Sequence, residues 1–224
     1  MMSPRMPWRR SREMNKKPKV LGKFVEVSKD TMKRRGKTFV FFMGAEFSPY
    51  CAAERWAVVR SLQKFGQWEG LKQTISAARD QPFLNLPTYD FTKAVYNSPN
   101  IEFVAREIKD REFKPLQKLL KTEEKLVRRY DPKKDIPFLL VGGRFAQVGS
   151  GFPPKIFIGH TFRQTETELK KTESEIRKTI DDEANIISAL LCLSGLPPEL
   201  CKETGTAELV AQAKTKLDLP SYRV

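Results

Sequence analysis

The chain has 224 residues, 40 % of them hydrophobic, and carries 41 Lys and Arg against 27 Asp and Glu, a formal +14 at neutral pH. That length and apolar content fit one large or two small folded domains and exclude a wholly disordered chain. One histidine and three cysteines are too few for a multi-ligand zinc pattern, and the longest apolar runs, Thr38–Ala45 and Ile186–Leu193, fall far short of the roughly 20 residues of a membrane span.

The charge is unevenly placed. Residues 1–38 hold 13 basic side chains against Glu13, Glu26 and Asp30, a net +10 of the +14. Residues 39–224 hold 28 basic and 24 acidic groups, a densely charged, nearly balanced surface of the kind seen in heat-adapted proteins. No apolar segment follows the basic N-terminus, so the sequence predicts no secretory leader, no membrane attachment and a cytoplasmic location.

Residues 1–20 contain three prolines and almost no aliphatic side chains, which predicts a disordered basic arm bearing Arg5, Arg9, Arg10, Arg12, Lys16, Lys17 and Lys19. A folded domain is expected over 21–203, with a tail over 204–224. Thr38–Met43, rich in aromatic and β-branched residues, predicts a strand buried on both faces. Gly44-Ala45 ends it. Ser48-Pro49 then supplies an N-cap and a proline at the first helical position, and the helix is expected to run toward Gly66.

Further along, Thr88–Tyr96 and Asn100–Ile108 read as two strands around the turn at 97–100. Lys114–Tyr130 predicts a helix: Leu116, Leu119, Leu120, Leu126, Val127 and Tyr130 fall within an arc of about 120°. Lys114, Lys118, Lys121, Lys125 and Arg128 form one basic stripe on its opposite side. Ile136–Gly143 and Phe145–Val148 predict a hairpin around Gly142-Gly143. Thr165–Leu193 predicts one long helix with Leu169, Ile176, Ile180, Ile187 and Leu191 inward, capped by Gly195 and followed by a short turn from Pro197-Pro198 to Cys201.

A strand ending in Phe47-Ser-Pro-Tyr-Cys51 at a helix start, with Ile136-Pro137 opening an apolar strand some 85 residues later, resembles the thioredoxin fold. Gly44–Trp56, Pro87–Phe91, Ala184-Asn185 and Cys192-x8-Cys201 together are similar to an uncharacterised thioredoxin-like family of archaea and actinobacteria, over roughly residues 36–203. The resemblance implies an α/β fold, a central sheet flanked by helices with a helical C-terminal extension. It also implies a cis proline at Pro137 facing the active-site turn. In redox-active relatives the first position of the turn is a low-pKa cysteine and the last a shielded resolving thiol. Here the first is Ser48. A hydroxyl forms no mixed disulfide, so Ser48, Cys51 and Pro137 read as a degenerate redox site, with Cys51 a small buried side chain.

Cys192 and Cys201 are spaced for a disulfide across a helix end. Reducing compartments favour free thiols, whereas intracellular proteins of hyperthermophilic archaea carry disulfides. His160 has no nucleophile beside it and reads as structural. Neither Gly142-Gly143 nor Gly149-Ser-Gly151 continues into a phosphate-binding motif. Glu54 and Arg55 are expected on a solvated face or as an intrahelical pair.

Two functions follow. The first is a non-enzymatic, redox-inactive binding protein, without cofactor or metal, that holds RNA or a ribonucleoprotein such as the ribosome. Its contacts would be the arm, Lys33, Arg34, Arg35 and the basic stripe. The second is a thiol-disulfide oxidoreductase or isomerase using Cys51 or the Cys192/Cys201 pair. A protein-only adaptor and a merely solubilising arm stand beside them.

Overall fold

The computed structural model describes residues 21–217. The chain opens with β1 (Val25–Glu26), β2 (Lys33–Arg34) and β3 (Lys37–Gly44), followed by α1 (Pro49–Leu62). Four short strands come next, β4 (Gln67–Glu69), β5 (Lys72–Ile75), β6 (Pro87–Asp90) and β7 (Val95–Asn97), before the longer β8 (Ile101–Glu107) and α2 (Lys121–Tyr130). β9 (Phe138–Val141) and β10 (Phe145–Val148) complete the sheet. A 3-10 turn at Pro154–Phe157 leads to α3 (Phe162–Lys170), α4 (Glu175–Leu193), α5 (Pro198–Glu203) and α6 (Ala207–Lys216). The architecture is mixed α/β, a central mixed sheet flanked by helices, and none of the described helices is long and apolar enough to cross a membrane.

β3 is the spine. It pairs in parallel with β8 and antiparallel with β9, which carries β10 and then β1 outward, while β2 folds back on its start. Every β3 residue after Lys37 is buried, as a strand covered on both faces requires. Phe39, Phe41 and Met43 face one side with Val127, Phe138 and Leu140, under α2. Val40 and Phe42 face the other, where α1 and α4 pack. Gly142 and Gly143, both at positive φ (62° and 64°), are the central residues of the β9–β10 turn, which the Arg144 N–H closes by donating to the Val141 carbonyl at 3.1 Å. A side chain on Gly142 would also strike Ser194, so the turn closes against the end of α4.

α1 has twelve of its fourteen residues buried, so it lies inside the protein rather than on it. Ser48 caps it by accepting the Cys51 N–H at 3.2 Å. Trp56 Nε1 donates to the Pro87 carbonyl at 2.8 Å, Thr88 Oγ1 to the Ala52 carbonyl at 2.8 Å, and the Ser61 and Ser188 hydroxyls meet at 2.9 Å. These bonds pin α1 to β6 and to α4.

Four expected elements differ. Thr88–Tyr96 is not one strand: Asp90 Oδ1 accepts from the Thr92 N–H at 2.7 Å, and the turn divides the run into β6 and β7, which pair with β5 and β4 instead of β8. The helix expected from Lys114 begins at Lys121. Leu116 and Gln117 donate their N–H groups to the Ile108 and Glu107 carbonyls, both at 3.0 Å, so this segment runs extended beside β8. Glu123 starts the helix by accepting the Leu120 N–H at 2.8 Å. The long helix after Thr165 is two, because Ser174 in the polar run 171–174 caps a new start by accepting the Arg177 N–H. The expected tail contains α6, whose Ala213 is buried and which packs on α4.

Cys192 and Cys201 are joined as a disulfide with a Cα–Cα distance of 5.8 Å, tying the end of α4 to α5. Replacing both with alanine should cost about 2–3 kcal/mol, the chain-entropy value for so short a loop, and lower the melting temperature. An unchanged melting temperature in calorimetry would show that the link carries no stability.

Candidate functional site

The β3–α1 turn presents Ser48 and Cys51 at the C-terminal end of the central strand. Ser48 is 3 % exposed and Cys51 is fully buried. Met43 pairs with Phe138, so the antiparallel register sets Pro137 opposite Gly44, at the start of the same turn. The Ile136–Pro137 peptide is cis. Three residues of the degenerate site therefore share one end of the sheet. The chemistry available is small: burial pushes the Cys51 thiol up to about 12, with nearby Arg55 only partly opposing it. A thiol of that kind supplies no thiolate near neutrality.

Beneath the turn lies a feature that the sequence reading placed in solvent. Arg55 is 1 % exposed and Glu107 fully buried. Arg55 Nε and Nη2 donate to the two Glu107 carboxylate oxygens at 2.9 and 2.7 Å, and Nη2 also reaches the Ala45 carbonyl at 3.0 Å. The adjacent Glu54 is fully buried as well, accepting from Gln147 Nε2 and from the Gly151 N–H. Neither side chain is solvated or paired within the helix. Spacing along the chain hid this, because α1 is almost wholly enclosed and the partners of these two residues come from β8, from β10 and from the loop after it. The sequence signal was available in the strongly apolar run around them, which leaves no polar face for two charges to occupy.

The basic residues sort into two groups. Lys114, Lys118, Lys121, Lys125 and Arg128 are all exposed, and none forms an ion pair among the described residues. Only Lys121, Lys125 and Arg128 stand on α2; Lys114 and Lys118 belong to the extended segment before it, so the five do not form one helical stripe. Lys33, Arg34 and Arg35 lie in the β2–β3 hairpin, with Lys33 and Arg35 exposed. Arg34 sits 3.9 Å from a Glu102 oxygen and over the Phe39 ring. Arg34, Arg35 and Lys37 share a groove of about 480 Å³ with Arg106, Leu120 and Glu123, so hairpin and helix start meet on one side of the molecule. Arg5, Arg9, Arg10, Arg12, Lys16, Lys17 and Lys19 lie outside the described residues.

His160 is half-buried, with its Nδ1 3.3 Å from the Ile158 carbonyl. Among the described residues, no group of three or more His, Cys, Asp and Glu side chains is placed to hold a metal ion.

Two measurements probe this end of the molecule. Iodoacetamide at pH 8 should leave Cys51 unmodified in the native protein and label it on denaturation, and insulin reduction should stay at background; rapid native labelling would contradict the buried-thiol assignment. Glu107→Leu should destabilise the protein by about 3–5 kcal/mol in urea, because it strands a buried guanidinium, and adding Arg55→Met should recover much of that loss.

No curated protein and no solved structure matches the sequence. A family model described as "Domain of unknown function (DUF929)" matches residues 23–193, the span from β1 to the last residue of α4. The chain belongs to that family of unassigned function, DUF929.

Proposed function

We propose that this chain is a redox-inactive, thioredoxin-like binding protein whose partner is RNA or a ribonucleoprotein, most specifically the ribosome. The fold part of the reading rests on connectivity. A parallel β3–α1–β8 unit, an antiparallel β9–β10 hairpin opened by a cis proline, and a closing helix α4 give the strand order β8-β3-β9-β10. That is the order expected of a thioredoxin-like core. The loss of redox function rests on Ser48 in the attacking position and on the burial of Cys51.

One observation carries the binding part: five exposed cations, Lys114, Lys118, Lys121, Lys125 and Arg128, are gathered on one short segment, and none of them forms an ion pair among the described residues. Exposed cations without partners repel one another, a cost relieved when phosphates neutralise them and release counterions. The hairpin cations Arg34 and Arg35 border the same side, and the N-terminal region adds the rest of the excess. Trp8, Met6 and Met14 among its arginines suit irregular RNA, where stacking and shape count as much as phosphate contact.

Cell lysate on a sucrose gradient should carry the protein with ribosomal particles at low salt and release it at high salt. Deleting residues 1–20 removes seven basic residues and Glu13, six net charges, and should flatten log affinity against log salt by about 0.7 per lost single-strand contact. Neutralising Lys118, Lys121 and Lys125 should flatten it further. An affinity and salt slope unchanged by both would leave the basic residues as solubilising groups and overturn the reading.

A further inference from the structure

Away from the thiol turn, a second polar cluster is buried where α1, α4, β10 and the segment before β1 meet. Glu54 of α1 is fully buried; its Oε1 accepts from Gln147 Nε2 at 3.0 Å and its Oε2 from the Gly151 N–H at 2.8 Å. Glu183 of α4 is 5 % exposed, and its carboxyl occupies the space that a β-carbon at Gly151 would take. The two carboxyl groups therefore converge across one glycine. The charged groups acting on them are Lys23, which donates to the Ser150 carbonyl at 2.6 Å, and Asp182 beside Glu183 on α4. α6 contributes Leu209, which is apolar, to the wall of the neighbouring cleft.

The hydrogen bonding of this cluster does not close. Gln147 is 1 % exposed, and its Oε1 has no donor; Glu183 Oε1 is likewise buried without one. Two buried acceptors without a donor are a rare and costly arrangement. Gln147 is near enough to act on Glu183 as well as on Glu54. With both carboxyls ionised the site would also hold two buried negative charges against the single cation of Lys23.

We propose that the cluster is a proton site: Glu183 carries a proton and donates it to Gln147 Oε1, while Gln147 Nε2 donates onward to ionised Glu54. One hydrogen then satisfies both orphan acceptors and leaves Glu54 and Lys23 as the only charges. Loss of that proton breaks the chain of bonds and sets two carboxylates against each other across Gly151. The seam between α1 and α4 then loosens beside Gly22 and Lys23, where the basic N-terminal region joins the domain. A cleft of about 410 Å³ bounded by Gly22, Phe152, Ile186 and Leu209 opens on Glu183 and gives the proton a route to water.

Burial is the main cause that raises both carboxyls; at Glu54 it is opposed by the Gly151 N–H and the Gln147 Nε2 that hold its two oxygens, and Glu183 lies at about 7. A group that binds its proton more tightly folded than unfolded contributes fully below the ordinary value of 4.5, and that contribution is lost as pH rises through about 7. Across that window the unfolding constant should rise by up to about tenfold per pH unit.

Carboxyl-¹³C NMR of the full chain should show a Glu resonance titrating near pH 7 that is absent in Glu183→Gln. A wild-type spectrum in which every Glu titrates within the ordinary carboxylate range would overturn the proposal. Thermal unfolding of the wild type should weaken from pH 5 to pH 8, whereas Glu183→Gln, which keeps a donor in place, should be flat and more stable at pH 8. If that variant does not fold, Glu54→Gln should move the high midpoint downward by removing the neighbouring charge; an unmoved midpoint would count against the site. Magnesium or calcium that restored wild-type stability at pH 8, but not that of Glu183→Gln, would mean that a metal cation rather than a proton fills the gap.

Discussion

The whole arrangement depends on a helix with almost no outside. α1 is enclosed by the sheet, by α4 and by β6, yet it carries Glu54 and Arg55 in succession. Adjacent residues on a helix point about 100° apart, so these two charges need partners on different elements. Arg55 finds Glu107 at the end of β8, and Glu54 finds Gln147 on β10 and the glycine loop after it. One helix thus fixes the ends of two strands that lie on opposite sides of β3. Breaking either bond set would leave a buried charge without compensation, a far larger penalty than the loss of an exposed ion pair.

The parts of this structure that could be read from the sequence are those decided locally. The run Thr38–Met43, the Ser48-Pro49 helix start and the Gly142-Gly143 turn each follow from the residues at those positions, and they place the thiol turn correctly. Where periodicity misled, a side chain had a better use elsewhere. Leucines and lysines from Lys114 onward keep helical spacing, but the backbone at Leu116 and Gln117 is taken by β8 before a helix can form. Thr92 and Ser174 broke longer expected elements by the local hydrogen bonding that such residues favour. The burial of Glu54 and Arg55 is signalled by the apolar run around them, but their partners are not, because Arg55 and Glu107 are 52 residues apart and Glu54 and Gln147 are 93 apart.

The candidate site inherits this division of labour. Its thiol turn is held rigidly from below by the Arg55–Glu107 pair and from the side by the β9 register, a degree of support out of proportion to a cysteine with no accessible thiolate. The rigidity serves the packing of β3 against α1. The basic face, by contrast, is built on the other layer, over α2 and the segment leading into it. The buried ion pair and the exposed cations are therefore carried by different sides of one sheet, and charge can vary on the α2 side without disturbing the interior around α1.

The extended stretch at Leu116–Gln117 has a consequence for how copies of this protein behave together. β8 would otherwise end one side of the sheet as an open strand, able to accept a strand from a neighbouring molecule. Its last residues are occupied instead: Gln117 engages both the N–H and the carbonyl of Glu107, and Leu116 takes the Ile108 carbonyl. At the far edge β1 is only two residues long, too short to template another strand. Where copies meet edge to edge at high local density, the covered end of β8 and the shortness of β1 both work against the strand-on-strand addition that builds fibres.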